Sequence, residues 1–255
     1  MQPELIWPNI NAKLQANEIK VWLFESPVTI DPACLLGCRS LLTPAEQAYA
    51  DQKAGQAQQN CVVKQAFLRH ILAQYHSGCA PTALSFSHNQ HGKPFINSPS
   101  TALRFNLSHS GQWNAVAVCL MRNIGVDVEV IKPARRVKQI AQDYFHPQER
   151  DYLATLNDAD VPRQFYSLWT LKEALVKAAG VGMSQPFNQF SVVAKPTDGA
   201  NTWQLCTSAS LCSTSWAVQH FGVNEGVSLA IAVEDSLADT LEITVDTLAL
   251  TNGAL

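Results

Sequence analysis

Asp127, Glu129, Lys172, Glu173 and Lys177 are the residues whose types and spacing point to chemistry. In the run Ile124 to Val130 (IGVDVEV), the apolar residues Ile124, Val126, Val128 and Val130 alternate. A strand therefore puts Asp127 and Glu129 together on its opposite face. Glu173 and Lys177 stand four apart in a helical pattern, so they are neighbours along one ridge. Asp127, Glu129 and Glu173 together make three hard oxygen donors, a set that suits Mg²⁺ and not zinc or copper. Mg²⁺ held by a few carboxylates completes its shell with water and phosphate oxygens, and Lys177 would stabilise the same charge. A solvated Asp-x-Glu face and an ordinary surface Glu–Lys pair are the plain alternatives.

The first half offers candidate phosphate clamps. Lys93 follows Gly92 and precedes Pro94 in a tight turn, His109 lies between Ser108 and Ser110 at a strand end, and Arg69 is a helix-borne guanidinium suited to bidentate phosphate contact. Taken singly, a turn lysine, a capped histidine and a surface arginine explain them better. Hydrolase and nucleotide motifs do not apply. There is no G-x-S-x-G elbow, Walker loop or G-x-G-x-x-G, and Gly180-Val181-Gly182 is too short to count.

These residues must be positioned by strands and helices that the pattern also predicts. A short strand is expected at Val21 to Phe24, then a helix starting at Thr43-Pro44-Ala45-Glu46 and running to about Tyr75. The alternation of Leu103, Phe105 and Leu107 with Arg104, Asn106 and Ser108 is the clearest β signal, followed by an apolar run from Ala115 to Leu120. A helical region from Ile140 to Leu156 precedes a stronger helix, Arg163 to Ala179, stopped by Gly180. On that helix Phe165, Leu168, Leu175, Val176 and Ala179 form an apolar face with Trp169 at its edge. Lys172 falls inside the face, so its ammonium either snorkels out or meets an anion there. Strands follow at Phe190 to Ala194, Trp203 to Cys206, Trp216 to His220 and Ser228 to Val233. The architecture expected is α+β in two lobes, residues 1–122 and 123–235, with a weakly specified tail at 236–255.

With 47% apolar and 15% charged residues over 255 positions, the chain can bury a core and is unlike a disordered one. Eighteen Lys plus Arg against twenty-one Asp plus Glu leave a net charge of −3, which excludes a global cationic field for nucleic acid, so any polyanion must meet a local cluster. No secretory signal or membrane-length apolar run is read, so a cytoplasmic protein is expected. Seven cysteines without a C-x-x-C spacing read as reduced core thiols.

In order, HGKP (91–94), FNLSHSG (105–111), GVDVE (125–129), YF-x₃-E (Tyr144 to Glu149) and FYSLWTLKEALVKAAGVGM (165–183) resemble the 4′-phosphopantetheinyl transferases of the surfactin-activating type. The resemblance implies two similar α+β lobes related by a pseudo-twofold axis, with coenzyme A in the cleft between them. The implied reaction moves the phosphopantetheine arm to a serine of an apo acyl or peptidyl carrier protein and releases adenosine 3′,5′-bisphosphate. It assigns Asp127, Glu129 and Glu173 to Mg²⁺, Glu173 to proton removal from the serine, and Lys177 to the pyrophosphate. It assigns Arg69, Lys93, Ser108, His109 and Lys172 to coenzyme A, Lys172 also being part of the signature. Gln56, Gln58, Gln59 and Asn60 stand where many members are more basic. A noncatalytic coenzyme A or carrier-binding module, and a different Mg²⁺-dependent phosphoryl or nucleotidyl transferase, are the competing readings. Arg135, Arg136, Lys138 and Arg150 are candidates for a patch facing an acidic carrier. No membrane or nucleic-acid partner is expected, and a chain carrying both lobes is expected to act as a monomer.

Overall fold

A computed structural model describes residues 13–76, 79–133, 136–182, 185–194, 202–206, 211, 215–235 and 241–249. The chain forms four layers, helix on sheet on sheet on helix. The first sheet has the order β11-β1-β5-β4, from β1 (Glu18–Glu25), β4 (Leu103–Ser110), β5 (Trp113–Leu120) and β11 (Glu242–Ala249). The second has the order β6-β10-β9-β8-β7, from β6 (Ile124–Val130), β7 (Ser191–Ala194), β8 (Thr202–Cys206), β9 (Trp216–Asn224) and β10 (Val227–Glu234). A small separate ladder joins β2 (Ser85–His88) to β3 (Pro94–Ser98).

The inner strands β1, β5 and β10 are buried on two faces, which is why they read as apolar runs. In β1, Trp22 and Phe24 meet Phe67, Leu68 and Ile71 of helix α3 (Gly55–Gln74), whereas Ile19, Val21 and Leu23 face the second sheet. In β6, Ile124, Val126 and Val128 join that inter-sheet core, as do Leu229, Ile231 and Val233 of β10. The outer face of β10, Ala230 and Ala232, packs on Leu171, Ala174, Leu175 and Ala178 of helix α6 (Val161–Ala179). Small residues on the strand let the helix approach closely. At Gly125 the approach is backbone to backbone: a Cβ there would lie 2.0 Å from the Ala174 carbonyl oxygen. The two-lobed α+β arrangement is as expected.

Three expectations change. The helix expected from Thr43 to Tyr75 is two, α2 (Pro44–Asp51) and α3, parted at Gln52 to Ala54, where Gly55 takes φ +56°. The region from Ile140 to Leu156 is likewise split into α4 (Val137–Tyr144) and α5 (Pro147–Ala154) by the His146-Pro147 start of α5, and α1 (Pro32–Ser40), capped by Asp31, precedes them all. The tail is no loose end: Glu242–Ala249 pairs in parallel with β1, so these residues complete the sheet of the first lobe. Its alternating Ile243 and Val245 pack against the inter-sheet core. Among the described residues no helix is long and apolar enough to cross a membrane.

Candidate active site at the lobe junction

β4 and β6 are the facing edges of the two sheets, and no backbone ladder joins them. An edge strand carries unpaired N–H and C=O groups that burial obliges it to satisfy. Here side chains do so. Asn106 Oδ1 accepts from Val126 N at 2.9 Å, Ser110 Oγ accepts from Val130 N at 3.1 Å, and the Val126 carbonyl accepts from Lys177 Nζ at 3.3 Å. Asn106, Ser108 and Ser110 alternate on one face of β4, so the same register sets Ser108 Oγ donating to Asp127 Oδ1 at 2.7 Å and Ser110 Oγ donating to Glu129 Oε2 at 2.6 Å.

α6 closes the site from the other side. Lys177 Nζ reaches Asp127 Oδ1 at 2.6 Å and Ser108 Oγ at 3.0 Å. Asp127 is buried, and its second oxygen, Oδ2, has no hydrogen-bond partner. Desolvation raises the Asp127 pKa although Lys177 and Ser108 oppose it. Glu173, one turn before Lys177, is pushed up to about 7 by burial and then by the charge of Asp127, with Lys177 opposing and Glu129 adding. Three acidic groups thus share one field with one ammonium. They line a cleft of about 550 Å³ with Lys93, His109 and Lys64.

The donor chemistry fits Mg²⁺. The observation that decides the fit is the orphaned Asp127 Oδ2, a buried hard oxygen beside a carboxyl whose charge is costly without a cation. Among the described residues no three His, Cys, Asp or Glu side chains are already gathered as a complete metal cage. Mg²⁺ needs no such cage, since one or two carboxylates with water and phosphate oxygens suffice.

Several expected contacts fall elsewhere. Arg69, expected on phosphate, is buried and paired with Glu46: Nε–Oε2 is 2.7 Å and Nη2–Oε1 2.9 Å, while Nη1 donates to the carbonyls of Pro81 and Leu84. Four of its five N–H donors are spent inside the first lobe, which holds it as a buried ion pair. Lys172, expected in coenzyme A binding, is completely buried. Its Nζ donates to Glu149 Oε1 at 2.8 Å and to the Phe190 carbonyl at 2.5 Å, under the rings of Phe145, Phe187 and Phe190. The anion that its place on the apolar face demands is Glu149. Lys93 lines the cleft, yet its Nζ donates to the carbonyls of Ile124 and Ala178 at 2.9 and 3.0 Å, and burial lowers its pKa to about 8. His109 is exposed beside Lys64, with Nε2 and Nζ 3.4 Å apart. Partial desolvation and then the charges of Lys64 and Lys177 hold its pKa down. Of the candidate carrier patch, Arg135 lies outside the described residues, Arg136 is exposed, Lys138 pairs with Asp158 and Arg150 donates to Gln142.

Sequence reasoning missed Asn106, Ser110, Lys64 and the partners Glu46 and Glu149. Polar alternation on β4 was a usable signal for the first two. Glu46 and Glu149 stand out locally, in a helix start and in YF-x₃-E, but nothing local announces that they pair with Arg69 and Lys172, 23 residues away in each case.

Residues 123–232 match the model of the 4′-phosphopantetheinyl transferase superfamily. A 4′-phosphopantetheinyl transferase of Bacillus subtilis is 33% identical over 167 residues, covering 65% of this chain and 70% of the relative. The chain belongs to the 4′-phosphopantetheinyl transferase superfamily. HetI, a transferase of the same name from Nostoc sp., is 28% identical over 222 residues, 83% of this chain and 92% of its own length. Sfp of Bacillus subtilis strain 168, also so named, is 33% identical over 150 residues, 58% of this chain and 62% of Sfp. The matched family segment contains β6 and α6, the two elements that bring Asp127, Glu129, Glu173 and Lys177 together.

Proposed function

We propose that this phosphopantetheinyl transferase moves the 4′-phosphopantetheine arm of coenzyme A onto a serine of an apo acyl or peptidyl carrier protein. The observation that carries the reading is the meeting of Lys177 with Asp127 and Ser108 in a junction cleft, one helical turn from a carboxyl raised to about 7. In the reaction the serine oxygen bonds to the phosphorus that carries the pantetheine arm. The bridging P–O bond breaks, and adenosine 3′,5′-bisphosphate leaves with the electron pair.

Glu173, in the cleft one helical turn before Lys177, takes the serine proton in its carboxylate form. Lys177 offsets the charge growing on the pyrophosphate oxygens, and Asp127 holds that ammonium at the end of the cleft. Asp127, Glu129 and Glu173 are the residues that would hold Mg²⁺, which when bound supplies further neutralisation of the pyrophosphate. Ser108 and His109 are proposed as phosphate contacts from β4. Each chain supplies both walls of its cleft, which supports a monomer.

Intact-mass spectrometry of an apo carrier protein incubated with this protein, coenzyme A and Mg²⁺ tests the reading. A gain of one phosphopantetheine arm, absent with EDTA, is expected. No gain across several unrelated carriers despite measurable coenzyme A binding would favour the noncatalytic module.

A further inference from the structure

The β2–β3 hairpin forms one wall of the cleft through His91, Gly92, Lys93 and Pro94, yet its two strands pair only with each other. Its place is therefore set by side chains, and Asn89 is where they converge. Asn89 Oδ1 accepts from the backbone N–H of His91 and of Lys93, both at 2.9 Å, which shapes the turn. The other end of the same amide, Nδ2, donates to the Gly180 carbonyl at 2.9 Å, across the lobe junction. Gly180 is the left-handed residue that ends α6, with φ +68°. The C-terminal carbonyls of a helix lack partners within it, and cations are favoured there. Lys93 Nζ supplies that cation one bond further in, at the Ala178 carbonyl, and spans to Ile124 of β6.

We propose that Asn89 is a positioning residue for the transferase site. It clasps the hairpin tip to the C-terminus of α6 and so fixes the cleft wall against Glu173 and Lys177. α6 is already held along its last two turns, where the Gly125 backbone leaves no room for a Cβ against Ala174 and Ala178. The strands of the hairpin rest on the first-lobe core through Phe86 and Ile96, whereas its tip is tied across the junction by Asn89, Lys93 and the contact with Gly182, where a Cβ would meet His91 Cβ at 3.3 Å. Losing the clasp loosens the tip of the hairpin, while Phe86 and Ile96 keep its strands on the core and the helix stays in place. Substrate capture should suffer while the proton-transfer group stays where it was.

Two variants separate the clasp from the turn, and the proposal rests on the transferase reading given above. Asn89→Asp keeps the acceptor that shapes the turn but presents an oxygen to the Gly180 carbonyl, whereas Asn89→Ala removes both. The assay is steady-state transfer to an apo carrier protein, with coenzyme A binding by calorimetry and melting temperature measured alongside. Both variants are expected to raise the coenzyme A KM and Kd by about tenfold, the worth of one hydrogen bond, with kcat within about threefold of wild type. A purely structural role would lower the melting temperature and the active fraction with KM unchanged, and that pattern overturns the proposal. So does Asn89→Asp behaving as wild type while Asn89→Ala fails, since the turn alone would then matter. If wild type binds coenzyme A but transfers nothing, the transferase reading fails, and the Kd of each variant still decides the clasp.

Discussion

Replacing Lys172 by Met should cost this protein a large share of its stability and leave coenzyme A binding intact. The side chains of Lys172 and Glu149 are 0% and 1% exposed and lie 2.8 Å apart. Glu149 does more than pair. Its Oε1 also accepts from Val192 N and its Oε2 from His146 N, so one carboxylate ties α5, α6 and β7 together. Removing one partner of a buried pair typically costs about 3–5 kcal/mol, because the other charge stays buried without compensation. Against a total of about 5–15 kcal/mol this is about a fifth or more, and for a chain of this size it lowers the melting temperature by roughly 6–20 °C. Glu149→Gln should fall in the same range. In the double variant, Lys172→Met with Glu149→Gln, no ion remains to be stranded, so the loss should be smaller than the sum of the singles by at least about 2 kcal/mol. Urea and thermal unfolding give the stabilities, and calorimetry below the transition gives the coenzyme A Kd. A Lys172→Met protein that melts within about 2 °C of wild type while its Kd rises tenfold would refute the argument and return Lys172 to the ligand.

The same logic yields further expectations. Gly125→Ala drives a methyl to 2.0 Å from the Ala174 carbonyl, so α6 must shift; circular dichroism should show a loss of at least about 3 kcal/mol, and mass-spectrometric transfer assays more than a tenfold loss in rate. Arg69→Met should destabilise by about 3 kcal/mol through the stranded Glu46, while the coenzyme A KM at 15 °C stays within about threefold of wild type. His220, hydrogen-bonded with Ser228, is lowered to about 4 by burial and then by Arg163, so between pH 6.5 and 4 the unfolded chain binds the extra proton. Its contribution is fully present above pH 6.5 and falls by about 2 kcal/mol by pH 5; urea midpoints should show that slope in wild type and not in His220→Gln.

Those residues also mark how much of the molecule the chain discloses by itself. β6 and α6 were legible because a period of two and a period of 3.6 each place their carboxylates on one face whatever the rest of the fold does. Lys172 was legible as an anomaly, an ammonium on an apolar face, although its remedy was not. Arg69 was misread for the reason Glu46 was missed: a pair formed 23 positions apart leaves no periodic trace, and a guanidinium that binds phosphate looks in sequence like one that binds a carboxylate. The return of Glu242–Ala249 to β1 is likewise a long-range pairing, and its alternation of Ile243 and Val245 with polar neighbours is short and dilute. Breaks within the helical stretches turned on single residues, Gly55 and Pro147, whose effect depends on whether the flanking turns find separate packing partners.

The central claim is that the junction cleft gathers the chemistry of transfer at Glu173 and Lys177. It is tested most directly by single-turnover transfer to an apo carrier protein with Glu173→Gln, an isosteric change, at coenzyme A concentrations that calorimetry shows to saturate both proteins. The account predicts a fall in the single-turnover rate of at least about a hundredfold, the lower range for loss of a general base, with the fold unchanged. A Glu173→Gln protein that transfers within about threefold of wild type would contradict it and move the chemistry out of this cleft.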